Sequence, residues 1–340
     1  MKISNRRQAS SSRNKPRIVG VIAYAYLLTL CSLAEAQPVK KVPRIGFLAA
    51  LSPSAISARV EAFRQGLAEL GYVEGKTIAI DYRWANGKFE QVPALAAELV
   101  NLKPEVIVTA GPTDTRAAKQ ATSTIPIVMA FDNDPVGSGF VATLARPGGN
   151  ITGLSTFTPE TTGKRLEILK EIVPRLGRAA VFGTSTEPGK EQSLKETQSV
   201  AAALGIHLHY IEIGTPKDIE PAFREAVRDR ADAILVLNSP VLNSRREELA
   251  ELAIKSRLPT AYGQGEYVQA GGLMSYGPNI VELFRRTATY VDKIFKGAKP
   301  SELPVQQPKT FEFIINLKTA KQIGLTIPPN VLTRADKVIR

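Results

Sequence analysis

The chain has 340 residues, 44% of them hydrophobic and 22% charged, with 44 Lys and Arg against 32 Asp and Glu and a formal net charge of +12. That length and apolar fraction suffice for one or two buried cores. No solenoid repeat, heptad run or low-complexity segment interrupts them, and basic residues are not gathered into the aromatic-flanked patches of a nucleic-acid binder.

The first segment differs from the rest. Lys2, Arg6, Arg7, Arg13, Lys15 and Arg17 form a basic region, residues 18–30 an apolar one, and Ala34-Glu35-Ala36 before Gln37 has the small-x-small form of a cleavage site. Residues 1–36 are therefore expected to be a signal peptide. The uncharged stretch over 18–34 is slightly short for a membrane span, and no stop-transfer pattern follows it. Arg6-Arg7 lacks the apolar follow-up of a twin-arginine signal, and Leu30 before Cys31 is bulky where a lipoprotein signal needs a small residue. Cleavage removes six basic residues and one acid, lowering the net charge from +12 to +7, and discards the single cysteine. The mature chain then has no disulfide and no thiol nucleophile.

From Pro43 onward, apolar runs alternate with amphipathic stretches, the pattern of βαβ units and a parallel sheet. A strand is expected over 44–49. Ile56, Val60, Phe63, Leu67 and Leu70 recur at helical spacing, and Gly71 sits where a helix stop wants glycine. Strands over 77–82, 105–109 and 126–131 alternate with helices over 89–102 and 113–121. A turn cluster at Arg146-Pro147-Gly148-Gly149-Asn150 and a short apolar segment over 151–154 break the rhythm. A second series follows, with helices over 161–173, 190–204, 217–227 and 244–255 and strands over 178–182, 207–213, 233–237 and near 259–262. A strand over 273–276, a helix over 279–295, a Pro-rich stretch, a strand over 311–315 and a helix from Lys318 end the chain. The fold class expected is α/β, with two parallel sheets of similar size flanked by helices.

In open parallel sheets, ligands bind beyond the carboxyl ends of the strands. Those positions are polar here: Ser52-Pro53-Ser54, Gly111-Pro112-Thr113, Asp132-Asn133-Asp134-Pro135, Thr184-Ser185-Thr186, Asn238-Ser239-Pro240 and Gly263-Gln264-Gly265-Glu266. Any one of them reads more readily as a helix N-cap; the set reads as a binding cleft for a small polar ligand. The candidate ligand contacts are Ser52, Ser54, Thr113, Asp132, Asp134, Ser185, Thr186, Asn238, Ser239, Gln264 and Tyr276. Asp132 and Asp134 could hold an ammonium group, coordinate a hard cation or act in acid/base work, with Asp134 alternatively capping a turn; Tyr262 and Tyr276 could stack on a ligand ring or pack the core. Gly137, Gly139 and Ala142 match a G-x-G-x-x-A pattern in the wrong place for a dinucleotide, after the fourth strand and an acidic loop. His207 and His209 share one strand face without a third ligand, so a surface pair is expected rather than a metal site. P-loop, nucleophile-elbow and H-E-x-x-H motifs are absent from the sequence. No cofactor and no catalytic residue are expected.

Several segments carry a family resemblance: Ala62-Phe63-Arg64-Gln65-Gly66-Leu67, Leu70-Gly71-Tyr72-Val73-Glu74-Gly75, Tyr82-Arg83-Trp84-Ala85, Asp134-Pro135-Val136-Gly137-Ser138-Gly139, Ala145-Arg146-Pro147-Gly148-Gly149-Asn150, Gly271-Gly272-Leu273-Met274-Ser275-Tyr276-Gly277-Pro278, Tyr290-Val291-Asp292-Lys293-Ile294 and Ile315-Asn316-Leu317-Lys318-Thr319-Ala320. Over nearly the whole mature chain they resemble the tryptophan/tyrosine-type periplasmic substrate-binding proteins of ABC transporters. The resemblance implies a type I periplasmic-binding fold with two Rossmann-like lobes and three crossings, near Gly153, near Gly272 and over 306–311, closing on ligand by a hinge. Residues 43–152 plus 273–308 would form the N-terminal lobe, and 153–272 plus 309–340 the C-terminal lobe. A periplasmic, monomeric receptor that meets a membrane permease transiently is expected, and because the loops can supply a carboxylate for an ammonium and hydroxyls with backbone N–H groups for a carboxylate, the solute expected is a small carboxylate-bearing one, an amino acid or aromatic acid. The alternatives are a sensory ligand-binding module of the same fold and an exported α/β enzyme dependent on Asp132 or Asp134.

Overall fold

The computed structural model describes residues 42–156 and 158–340; the expected leader, with Cys31, lies outside them. In the first lobe, β1 (Arg44–Ala49), β3 (Val106–Thr109) and β4 (Ile127–Asp132) are buried almost throughout, because helices cover both sheet faces. β2 (Ala79–Trp84) is half-buried along its length, as befits an edge strand, and β5 (Ile151–Ser155) closes the other side. The order is β2-β1-β3-β4-β5, every pairing parallel. Helices α1 (Ser57–Glu69), α2 (Val92–Asn101) and α3 (Pro112–Ala121) connect the first four strands. α1 stops as expected at Gly71, which takes φ +85°, a conformation that costs glycine nothing.

The second lobe is built on a seven-stranded sheet. Its strands are β6 (Arg178–Gly183), β7 (His207–Glu212), β8 (Ala233–Val236), β9 (Thr260–Tyr262), β10 (Met274–Gly277), β11 (Glu312–Asn316) and β12 (Lys337–Ile339). They lie in the order β12-β11-β10-β9-β8-β6-β7, parallel except where β11 meets β10. Its helices are α4 (Thr158–Ile172), α5 (Lys190–Leu204), α6 (Ile219–Arg228), α7 (Pro240–Asn243), α8 (Arg246–Ser256) and α9 (Gly265–Gln269). The short α7 and α9 were beyond the reach of periodicity, since each spans barely one turn. The strand expected over 77–82 starts two residues later, because Thr77 and Ile78 turn back onto the carbonyl of Val73.

The chain then returns to the first lobe. α10 (Ile280–Phe295) buries Ile280, Leu283, Phe284, Thr287, Ala288, Tyr290 and Val291, a stripe at helical spacing, against α1 and β4. Its cap is Asn279, whose side chain accepts from the Glu282 amide at 3.0 Å. Gly66 marks the closest approach: a Cβ there would stand 2.2 Å from the backbone oxygen of Arg285.

Two of the expected boundaries need correction. β5 stays in the first sheet through Ser155, with Gln306 bridged beside Leu154, so the first crossing comes after Ser155 and not near Gly153. Residues 274–277, assigned by the sequence to the N-terminal lobe, pair with β9 and β11 in the second sheet. The second crossing therefore falls between Gly277 and Ile280, and the third between Gln306 and β11.

Candidate functional site

Both sheets point their carboxyl ends toward the gap between the lobes. A cavity of about 40 Å³ opens there, lined by residues just past β1, β3, β4, β6, β8 and β9. Ala50, Leu51, Ile56, Ala110, Pro112 and Phe131 give the first lobe's wall its apolar character, while Asn238, Ser239, Asn243 and Gln264 make the second wall polar. Such a mixture, apolar walls with a few converging polar groups, is what small-solute sites are made of.

One cation spans the gap. Arg59 on α1 is 4% exposed, and its Nε donates to Glu266 at 2.9 Å while Nη2 donates to Gln264 at 3.0 Å, both in the other lobe. Among the described residues Nη1 has no hydrogen-bond partner, and the guanidinium lies over the Phe131 ring, 5.9 Å from its centroid. Gln264 Oε1 also accepts from Asn243 Nδ2 at 2.7 Å.

Carboxyls line the same cavity. Glu187, after β6, accepts from Thr113 of the first lobe at 2.7 Å; burial pushes its pKa up to about 7, against the lowering effect of Thr113 and Arg116. Asp114, in the first turn of α3, is buried, and desolvation together with the nearby Glu187 raises its pKa well above the ordinary value. The Ala50 amide holds one side of its carboxyl, but Oδ1 has no partner. The site thus brings a cation and two buried carboxyls to the lining of one partly apolar cavity.

The structure sorts the sequence candidates. Asn238, Ser239 and Gln264 line the cavity, and Thr113 borders it through Glu187. Asp132 does not reach it: its carboxylate turns back to accept from the Asp134 amide at 3.0 Å. Asp134 in turn accepts from the Gly137 amide at 2.9 Å, in the manner of the turn cap the sequence offered for it, and lies along a separate interlobe groove, while Asp132 Oδ2 is buried without a hydrogen-bond partner. Ser52 and Ser54 bond to each other near the surface, and Ser185 is engaged by Glu212. Thr186 is exposed and accepts from Arg116 through its backbone oxygen, while Tyr276 stacks on Phe311. His207 and His209 lie on edge strand β7, where His209 Nδ1 meets Asp229 at 2.6 Å and Nε2 meets Glu225 at 3.3 Å, away from the cavity.

Arg59, Asp114, Asn133, Glu187 and Asn243 line the cavity without having been singled out. For Arg59 a signal existed: Ile56, Arg59, Val60 and Phe63 share the apolar stripe of α1, and an arginine there has no place unless something needs it. Asp114 and Glu187 each lie one residue beyond a polar loop that was noted, and Asn133 lies between the two aspartates.

Comparison with known proteins places this geometry. A curated tyrosine-binding protein of Clostridioides difficile (strain R20291) is 24% identical over 286 residues, covering 84% of this chain and 82% of the relative. The crystal structure of an ABC domain in complex with L-Trp from Streptococcus pneumonia superposes with a TM-score of 0.82 at 26% identity, covering 87% of this chain and 99% of that one. The ligand-free, open structure of CD0873, a substrate-binding protein with adhesive properties from Clostridium difficile, is 25% identical, covers 88% and 99%, and superposes at only 0.64. At nearly equal identity, the whole chain superposes better on the L-Trp complex than on the ligand-free, open structure. Residues 44–339 match the ABC transporter substrate-binding protein family model, and the chain belongs to that family, whose members bind solutes rather than transform them.

Proposed function

We propose that this protein is the exported solute receptor of an ABC-type importer, closing its two lobes on a small carboxylate-bearing solute, an amino acid or related aromatic acid. The observation that carries the reading is Arg59: a buried cation of one lobe, bonded to the other, with one nitrogen left over beside the cavity. A solute carboxylate placed there completes the guanidinium's hydrogen bonding and ties the lobes together. The similarity to a tyrosine-binding protein and to a domain complexed with L-Trp supports an amino acid or its aromatic kin. Export follows from the leader, whose cleavage before Gln37 yields a periplasmic monomer that meets its permease transiently. No helix among the described residues is long and apolar enough to cross a membrane.

Purified mature protein, screened by thermal shift and calorimetry against amino and aromatic acids, should be stabilised by one class of them. Absence of stabilisation by every acid in the screen overturns the solute assignment.

A further inference from the structure

The outer edge of the second sheet carries a cluster that the interlobe cavity does not use. His209 on edge strand β7 stands between two carboxylates presented by α6: its Nδ1 lies 2.6 Å from Asp229 Oδ2 and its Nε2 3.3 Å from Glu225 Oε1. Glu225 and Asp229, four residues apart at the end of the helix, share one of its faces. The sequence offered His207 and His209 without a further ligand; the fold supplies carboxylates from the helix that packs over them. All three side chains are half-buried and open to solvent ions.

The two contacts of His209 differ in kind. An ionised carboxylate only accepts, so the 2.6 Å contact puts the imidazole N–H on Nδ1 and leaves the Nε2 lone pair facing a Glu225 oxygen. A proton shared there would draw the two atoms to about 2.7–2.9 Å. At 3.3 Å they stand as two ligands of one tetrahedral zinc do, because bonds of about 2.0–2.1 Å at the tetrahedral angle span about 3.3 Å. A carboxylate behind the other ring nitrogen is the usual outer partner of a metal-bound imidazole, fixing its tautomer and raising its basicity. Asp229 fills that place. Its second oxygen lies 3.4 Å from Arg228 Nε and its carbonyl accepts from Arg178 at 2.7 Å, so both nearby arginines are turned to Asp229 and neither bonds to Glu225.

We infer that a divalent transition metal of zinc's size and geometry clips β7 to α6, bound by His209 Nε2 and Glu225, with Asp229 as the positioning residue. His207 is exposed on the same face of β7, about 6.5 Å back along the strand, and turns in as the third ligand. Water completes the tetrahedron. The site lies away from the interlobe cavity and is independent of the solute assignment.

The test is a zinc titration of tag-free, chelator-stripped mature protein by calorimetry, with nitrogen NMR of the imidazoles, whose signals are few because the chain has 2 histidines. The wild type should bind a single zinc per chain and His209→Ala none. Glu225→Gln and His207→Ala should each weaken binding roughly tenfold or more. Asp229→Ala should weaken it roughly 10–100-fold and, in the metal-free protein, release His209 from the Nδ1–H tautomer, a signature that a merely structural aspartate would not move. Zinc should raise the melting temperature of the wild type but not of His209→Ala, and metal-free melts check that each variant folds. Wild-type zinc binding no tighter than that of His209→Ala or Glu225→Gln overturns the site, as does a His209 that carries N–H on both nitrogens and takes up no zinc. Unchanged affinity in His207→Ala overturns its place as third ligand.

Discussion

Glu187 makes the cavity sensitive to pH. Its carboxyl titrates at about 7 instead of the ordinary 4.5 because burial disfavours the charge. A carboxyl with a raised pKa in the folded chain binds its proton more tightly there than when unfolded. Stability from this group is therefore full below about pH 4.5 and is lost as pH rises through about 7. Glu187→Gln, always neutral, should remove part of that fall. Thermal melts at about pH 5 and about pH 8 should show the wild type losing more melting temperature than E187Q; parallel losses would show that the carboxyl is not buried between the lobes. Residue by residue, the site was half legible. Strand ends announced the loops, so Asn238, Ser239 and Gln264 could be named from sheet logic alone. Asp114 and Glu187 required knowing how far each loop travels before its helix turns, which depends on packing rather than on residue type.

At the level of elements, periodicity identified α1 and α10 because each carries a long apolar stripe, and the sequence placed Gly71 at the end of α1 correctly. Pairing was harder to read. Gly271 and Gly272 look like a break between lobes, yet β10 follows them in the second sheet, because hydrogen bonding to β9 and β11 decides membership and leaves no local mark. The join between α10 and α1 offers a direct check on how the chain returns to the first lobe. Gly66→Ala places a methyl against the Arg285 carbonyl and should destabilise the protein by about 1–3 kcal/mol through overpacking. Denaturant unfolding at the wild-type midpoint would undercut the helix contact. Phe284→Ala, which hollows the same interface beside Phe131, should cost about 3–5 kcal/mol in the same measurement.

Across the whole molecule, the contacts among the described residues that tie the lobes away from the hinge strands include Arg59 to Glu266 and Gln264, Thr113 to Glu187, Arg116 to the Thr186 carbonyl, Arg246 to the Ala55 carbonyl and Gln192 to the Gly137 carbonyl. The first two are the more buried and so the less screened by salt. Arg59→Ala should open the lobes, giving a larger radius of gyration by small-angle scattering than the wild type and solute affinity roughly tenfold or more weaker. An unchanged radius would remove Arg59 from the closing contacts. The two-lobed α/β plan was legible from the alternation of strands and helices; the closed cavity was not, because its walls meet only when residues more than 200 positions apart, such as Arg59 and Gln264, come together. The most direct measurement is a crystal structure of the mature protein purified without refolding, with its co-purified solute retained. The expected result is a small molecule between the lobes with its carboxylate at Arg59. A solute held in another groove, or one whose carboxylate avoids Arg59, would contradict it.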